Sequence, residues 1–108
     1  MNLLSHPTSI EQLEWARTVS MQASLKATLA CAKAFATTDF RPDLTAFKVP
    51  TLIIHGTADK TVPIDASGRA AAKGIAGSTL IEYEGAPHGL FATEKARFTS
   101  DMLAFLKR

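Results

Sequence analysis

A chain of 108 residues with 46% hydrophobic and 20% charged side chains has room for one modest core and is too apolar to stay disordered. Twelve Lys and Arg against ten Asp and Glu leave a formal charge of +2, and the basic residues are scattered from Arg17 to Arg108. Without a basic stripe, nucleic acid is not an expected partner.

No apolar stretch approaches the ~18 residues that a membrane span needs, so no membrane association is expected. The first seven residues lack the basic region and long apolar run of a signal peptide, which makes a cytoplasmic protein the expectation. Cys31 is the sole cysteine, so no internal disulfide forms. Among Ala30, Ala32 and Ala34 it is expected to be a small buried thiol.

The first predicted element is a helix after Pro7. Thr8 or Ser9 caps it, with Glu11 or Gln12 three residues on closing a capping box. Ile10, Leu13, Trp15 and Val19 supply its apolar side. A second helix is expected over about 24–35, an Ala-rich stretch with Leu25, Leu29, Ala32 and Phe35 near helical spacing. The run 37–42 ends it, because the residue before Pro42 is pushed out of the α region.

The character changes at Val49-Pro50. Residues 51–55, Thr-Leu-Ile-Ile-His, form a continuous apolar run that suits a strand of a parallel sheet. Gly56 to Asp59 reads as a turn, and Pro63 sits where helices start. A helix is expected from 64 to about 76, with Gly74 and Gly77 as candidate C-terminal caps. Residues 79–83 form a second strand. The 33 residues from Thr51 to Tyr83 match the span of a strand–helix–strand crossover with parallel strands. After the loop 84–89 a last helix begins near Thr93. Phe98, Met102, Phe105 and Leu106 give it an amphipathic face, and Lys107 and Arg108 close it where its dipole favours cations.

The predicted order is therefore α, α, then β-α-β-α. Two loops leave the C-terminal ends of the predicted parallel strands, the edge at which ligands and catalytic groups of open α/β sheets gather. One carries Asp59, four residues past His55; the other carries His88, five past Tyr83. With neighbouring strands roughly 4.8 Å apart, the two side chains reach each other. The carboxylate would then fix the imidazole tautomer and leave its other nitrogen free as a general base. Singly, such an Asp is usually a turn residue bonded to its own backbone and such a His a polar loop residue. Together, on consecutive strand ends, they make the catalytic reading competitive.

The segments His55-Gly56-Thr57-Ala58-Asp59-Lys60-Thr61-Val62-Pro63 and Glu84-Gly85-Ala86-Pro87-His88-Gly89-Leu90 resemble the acid and histidine loops of α/β-hydrolases, closest to the cofactor-free haloperoxidase branch of perhydrolases and arylesterases. Residues 22–28 and 39–44 resemble the stretch leading out of that branch's cap. The resemblance implies a C-terminal part of the α/β-hydrolase fold, with remnants of cap helices over 1–40 and the β-α-β-α of the hydrolase core over 41–108. It also implies Asp59 as triad acid and His88 as triad base.

That fold orders its triad nucleophile, acid, base along the chain, so the serine belongs upstream of Asp59 on a Gly-x-Ser-x-Gly elbow. These 108 residues contain none. Ser67 lacks the preceding glycine, Ser78 enters a strand at its wrong end, and Ser20 and Ser24 sit in predicted helices. His55-Gly56 resembles an oxyanion dipeptide but belongs to the acid turn. The implied reaction is ester hydrolysis through an acyl-enzyme, or perhydrolysis in which peroxide takes the acyl group and the peracid oxidises halide. The implied partner is an N-terminal hydrolase half, or copies of the chain itself; the alternative is a non-catalytic fragment that only associates.

No metal or organic cofactor is implied. His6, His55, His88 and Cys31 are too dispersed for a zinc site, and Gly74-Ile75-Ala76-Gly77 ends a helix rather than opening one, so it is no phosphate loop. Leu90 and Phe91 beside His88 are candidates either for an acyl pocket or for packing.

Overall fold

The computed structural model describes residues 8–108; His6 and the rest of the first seven residues lie outside them. The chain divides into two compact units over 8–40 and 41–108.

The first unit is a pair of helices, α1 (Ile10–Met21) and α2 (Leu25–Thr37). Ser9 is the cap of α1, its hydroxyl accepting from Gln12 N–H at 3.1 Å, and Ser24 caps α2 by accepting from Ala27 N–H at 3.0 Å. Each bond satisfies one of the orphan donors at a helix start and stabilises it by about 1 kcal/mol. Neither helix contains a buried residue. Cys31 is accordingly exposed, against the expectation of a buried thiol. High helix propensity builds α2, but among the described residues nothing buries its apolar side chains.

The second unit opens with a 3₁₀ helix over Arg41–Ala46, which the sequence pattern did not suggest. Strands β1 (Leu52–Gly56) and β2 (Thr79–Tyr83) then pair in parallel, with Leu52 opposite Thr79 and His55 opposite Glu82. One face of this two-stranded sheet carries the core: Tyr83, Ala86 and Leu90 are buried, with Ile54, Ile81 and Phe98 packed against them. Each large side chain so buried stabilises the fold by roughly 1.5–3 kcal/mol.

The crossover is not the single helix expected over 64–76. It is a 3₁₀ turn (Ile64–Ala66), a break at Ser67, and then α3 (Gly68–Gly74). Ser67 takes φ −133° and ψ −85°, and its hydroxyl donates to the Pro63 carbonyl at 2.6 Å. Such a local side-chain bond competes with the helical ladder. The C-cap falls on Ile75 and Gly77 lies beyond it with φ +73°, so neither glycine is the cap expected. Arg69 fastens α3 to the sheet, donating from Nε and Nη2 to the two carboxylate oxygens of Glu82 at 2.7 Å each and from Nη1 to Asp65 at 2.8 Å. This fork geometry holds the Glu82 carboxyl below its ordinary pKa.

The last helix is also divided. α4 (Leu90–Thr93) is followed by a break at Glu94 and by α5 (Lys95–Leu106). Tyr83 joins β2 to α5: its hydroxyl donates to Asp101 Oδ2 at 2.6 Å, and the Arg97 guanidinium stands 3.8 Å from the ring centre. Among the described residues no helix is long and apolar enough to cross a membrane.

Candidate active site

The two loops that carry the site are tied together by their backbones. The acid loop donates from Thr57 N–H to the Tyr83 carbonyl at 3.0 Å and from Ala58 N–H to the Ala86 carbonyl at 3.1 Å. The histidine loop answers with Gly85 N–H to Thr57 Oγ1 at 2.7 Å. Gly85 has φ +70° and is third in a turn closed by Ala86 N–H to Tyr83 O at 3.1 Å, a place that favours glycine. Gly56 allows the approach itself, since a Cβ there would collide with the Ala86 carbonyl oxygen.

Asp59 is buried, at 8% exposure, and its carboxylate is saturated on both sides. Oδ1 accepts from Thr61 N–H at 2.9 Å and Val62 N–H at 2.8 Å; Oδ2 lies 2.7 Å from His88 Nδ1. Burial by itself would raise the Asp59 carboxyl. The Val62 amide, the His88 imidazole and the Thr61 amide outweigh it, and the net shift is downward from 3.8. Asp59 therefore stays ionised at neutral pH. An ionised carboxylate accepts only, so His88 Nδ1 carries the hydrogen.

His88 is the more open partner, its side chain 38% exposed against 4% for Asp59. Its Nε2 has no hydrogen-bond partner among the described residues, and the ring lines a cavity of about 180 Å³ with Ile54, His55, Asp59, Leu90, Phe91 and Phe98. In the neutral ring this Nε2 bears a lone pair. The arrangement can accept a proton at Nε2 and stabilise the resulting imidazolium through Asp59.

The structure thus brings Asp59 and His88 together, as their places on consecutive strand ends predicted. Leu90 is buried in the core while Phe91 is 58% exposed, yet both reach the cavity. The serines weighed as nucleophiles are engaged locally. Ser20 donates to Ala16 O at 2.8 Å, Ser67 to Pro63 O at 2.6 Å and Ser78 to Ala72 O at 3.2 Å, while Ser24 caps α2. Among the described residues no group of three or more His, Cys, Asp and Glu side chains is placed to hold a metal ion.

Sequence reasoning weighed His55 as part of an oxyanion-like dipeptide and as a zinc ligand, set both aside, and gave it no role beside the acid. Its Nε2 lies 2.8 Å from the Val62 carbonyl and 3.2 Å from Asp59 Oδ2. The signal was its position at the C-terminal end of β1, four residues before the acid.

The family model for serine aminopeptidase S33 matches residues 2–96. Among curated relatives, the non-heme chloroperoxidase CPO-A1 of Kitasatospora aureofaciens is 40% identical over 92 residues, covering 83% of this chain and 34% of its own. The bifunctional esterase/perhydrolase DCH of Acinetobacter calcoaceticus is 42% identical over 74 residues, 68% of this chain and 27% of its own. The chain spans about a third of the length of the curated relatives it matches.

Among solved structures, a bromoperoxidase from Bacillus anthracis superposes with a TM-score of 0.90 at 42% identity, over 94% of this chain and 37% of that one. An esterase from Exiguobacterium antarcticum gives 0.93 at 29% identity, over 98% and 39%. By family match, relatives and fold together, this chain belongs to the α/β-hydrolases of the serine aminopeptidase S33 family, and it carries the β-α-β-α part of their fold.

Proposed function

We propose that the chain supplies the acid and base of a serine-hydrolase triad, Asp59 and His88, to a nucleophile segment outside these 108 residues. One observation carries the reading: a buried, ionised carboxylate 2.7 Å from Nδ1 of an imidazole whose Nε2 has no hydrogen-bond partner among the described residues and lies beside a cavity. The relatives named as chloroperoxidase and esterase/perhydrolase support the choice of acyl chemistry.

In this reading His88 Nε2 takes the proton of the serine hydroxyl as its oxygen bonds to the ester carbonyl carbon. The imidazolium then returns the proton to the departing alkoxide, leaving an acyl-enzyme. Water attacks that acyl group, again losing a proton through Nε2, and the acid is released with the serine restored. Hydrogen peroxide in place of water releases the peracid by the same proton path. Asp59 keeps its charge throughout and steadies each imidazolium. Leu90 and Phe91, on the cavity wall, would face the acyl group.

The partner proposed is an upstream hydrolase segment that lays a strand along the free edge of β1. Among the described residues the sheet has the order β1-β2 and no further strand pairs that edge, and a parallel strand open on one side is a liability that proteins cover. The test is complementation. p-Nitrophenyl acetate hydrolysis is measured with the chain alone and then mixed with the separately produced N-terminal part of a non-heme haloperoxidase relative. The expected result is turnover only on mixing, lost in His88→Ala; turnover that survives His88→Ala overturns the reading.

A further inference from the structure

His55 has an environment that neither strand pairing nor core packing requires. It sits in β1 with its side chain 14% exposed. On one side of the ring, a Cβ at Gly68 would stand 2.7 Å from Nδ1, so the helix can restart against the imidazole only because residue 68 has no side chain. On the other side Nε2 meets two acceptors, the Val62 carbonyl at 2.8 Å and Asp59 Oδ2 at 3.2 Å. A carbonyl oxygen only accepts, so Nε2 carries a hydrogen whichever charge the ring bears. That hydrogen goes to the turn backbone at the Val62 carbonyl, with the acid's Oδ2 beside it.

Two hydrogen bonds and one close approach form a ring. Val62 N–H donates to Asp59 Oδ1, His55 Nε2–H donates to Val62 O, and the same Nε2–H approaches Asp59 Oδ2. Residue 62 is thereby clamped at both its amide and its carbonyl, and the carboxylate, which accepts from Thr61 N–H, Val62 N–H and His88 Nδ1, has His55 Nε2 as a further close neighbour at 3.2 Å. Oδ2, the oxygen that faces His88, is shared between the two imidazoles. Without His55, Oδ2 would keep His88 as its donor, and the Val62 carbonyl would lose its side-chain donor.

We infer that His55 is a positioning residue that acts through Asp59: its Nε2–H holds the Val62 carbonyl, and with it the turn whose amides grip the carboxylate, so that Oδ2 stays on His88 Nδ1 and the Nε2 lone pair of His88 stays toward the cavity. It does not touch substrate. The catalytic consequence rests on the acid–base reading of Asp59 and His88, but the placement is measurable without any nucleophile. Glu82, opposite His55 across the sheet, is held first by Arg69, with Asp65 on that same guanidinium, and feels the His55 charge only as a minor contribution.

The experiment is imidazole ¹H–¹⁵N correlation on the ¹⁵N-labelled chain at pH 8, which reads the tautomer of His88, assigned by its loss in His88→Ala. The wild-type ring is expected in the Nδ1–H form. His55→Leu should convert His88 to an averaged mixture of the two tautomers, and His55→Gln, whose amide can donate in the same place, should restore the Nδ1–H form. In the complemented enzyme the same pair should read as a roughly tenfold lower kcat for His55→Leu with KM unchanged, recovered by His55→Gln.

An unchanged His88 tautomer in folded His55→Leu, or a His55→Gln no better than His55→Leu, overturns the inference. Should His55→Leu fail to fold by urea titration, Gly68→Ala displaces the ring while keeping its chemistry, and an unaltered His88 tautomer there overturns it equally. Absence of turnover on complementation would sink the triad reading and leave this spectrum unaffected, so the two failures are distinguishable.

Discussion

At the scale of single residues, the site is a competition between burial and hydrogen bonding at Asp59. Desolvation pushes the carboxyl up, while two backbone amides and the His88 imidazole pull it down, and the pull wins. The sign has a thermodynamic consequence. A folded-state value below the unfolded 3.8 means that ionised Asp59 stabilises the fold above that pH, and that this stability is lost as pH falls through the depressed native value. Asp59→Asn is expected to cost about 1–3 kcal/mol at pH 7, because it leaves donors of the loop poorly matched in a buried place. Urea unfolding of both chains at pH 7 and pH 3 checks it: the difference should shrink at pH 3, and a difference independent of pH contradicts the argument.

This residue-level pairing was legible in the sequence because it depends on two facts that spacing encodes. The strands are parallel neighbours, and each loop leaves the same end of the sheet. His55 was not legible, because its role depends on the reach of one side chain around the turn 59–62 and on the space left at Gly68. Neither is a periodicity. Hydrophobic pattern carries which face a residue occupies but not which second acceptor its ring nitrogen meets.

Elements show the same division. Both strands, their parallel pairing and the approximate starts of α1 and α2 follow from local signals: apolar runs for the strands, the Ser9 cap for α1 and Ala-rich helical spacing for α2, whose Ser24 the sequence reading placed inside the helix rather than at its cap. The breaks at Ser67 and Glu94 do not follow from periodicity: at Ser67 a local hydroxyl bond to the Pro63 carbonyl combines with the restart of α3 where Gly68 meets His55, and α4 carries Leu90 into the core. The join between β2 and α5 is likewise a contact across 18 residues, Tyr83 to Asp101. Burial, then the bond to Asp101, raises the Tyr83 hydroxyl to about 12. A raised value means that the protonated hydroxyl stabilises the fold below the unfolded value of about 10, and that this is lost as pH rises through about 12. Tyr83 is the chain's sole tyrosine, so phenolate absorbance at 295 nm isolates it. The expected titration in the folded chain lies well above 10, and Asp101→Asn should bring it down; a folded-state midpoint near 10 would contradict the join.

For the whole molecule the decisive quantity is apolar surface left uncovered. Among the described residues of the 41–108 unit, Leu52, Ile54, Phe98, Met102, Phe105 and Leu106 line an open groove of about 340 Å³ beside the free edge of β1. Met102 and Leu106 are 40% and 69% exposed. Exposed apolar surface next to an unpaired strand edge favours association over a lone monomer. At tens of micromolar the chain is therefore expected to sediment above its monomer mass of 11.6 kDa. Met102→Lys combined with Leu106→Lys should shift it toward monomer, since both changes put charge on the groove wall without touching the buried Tyr83, Ala86 and Leu90 cluster. The upstream part of a relative, added in excess, should also displace self-association, because strand and groove would then be covered by the segment proposed to complete the sheet. A chain that stays monomeric at every concentration, with the groove open, would show that this edge needs no partner, and the complementation proposed for catalysis would lose its structural motive.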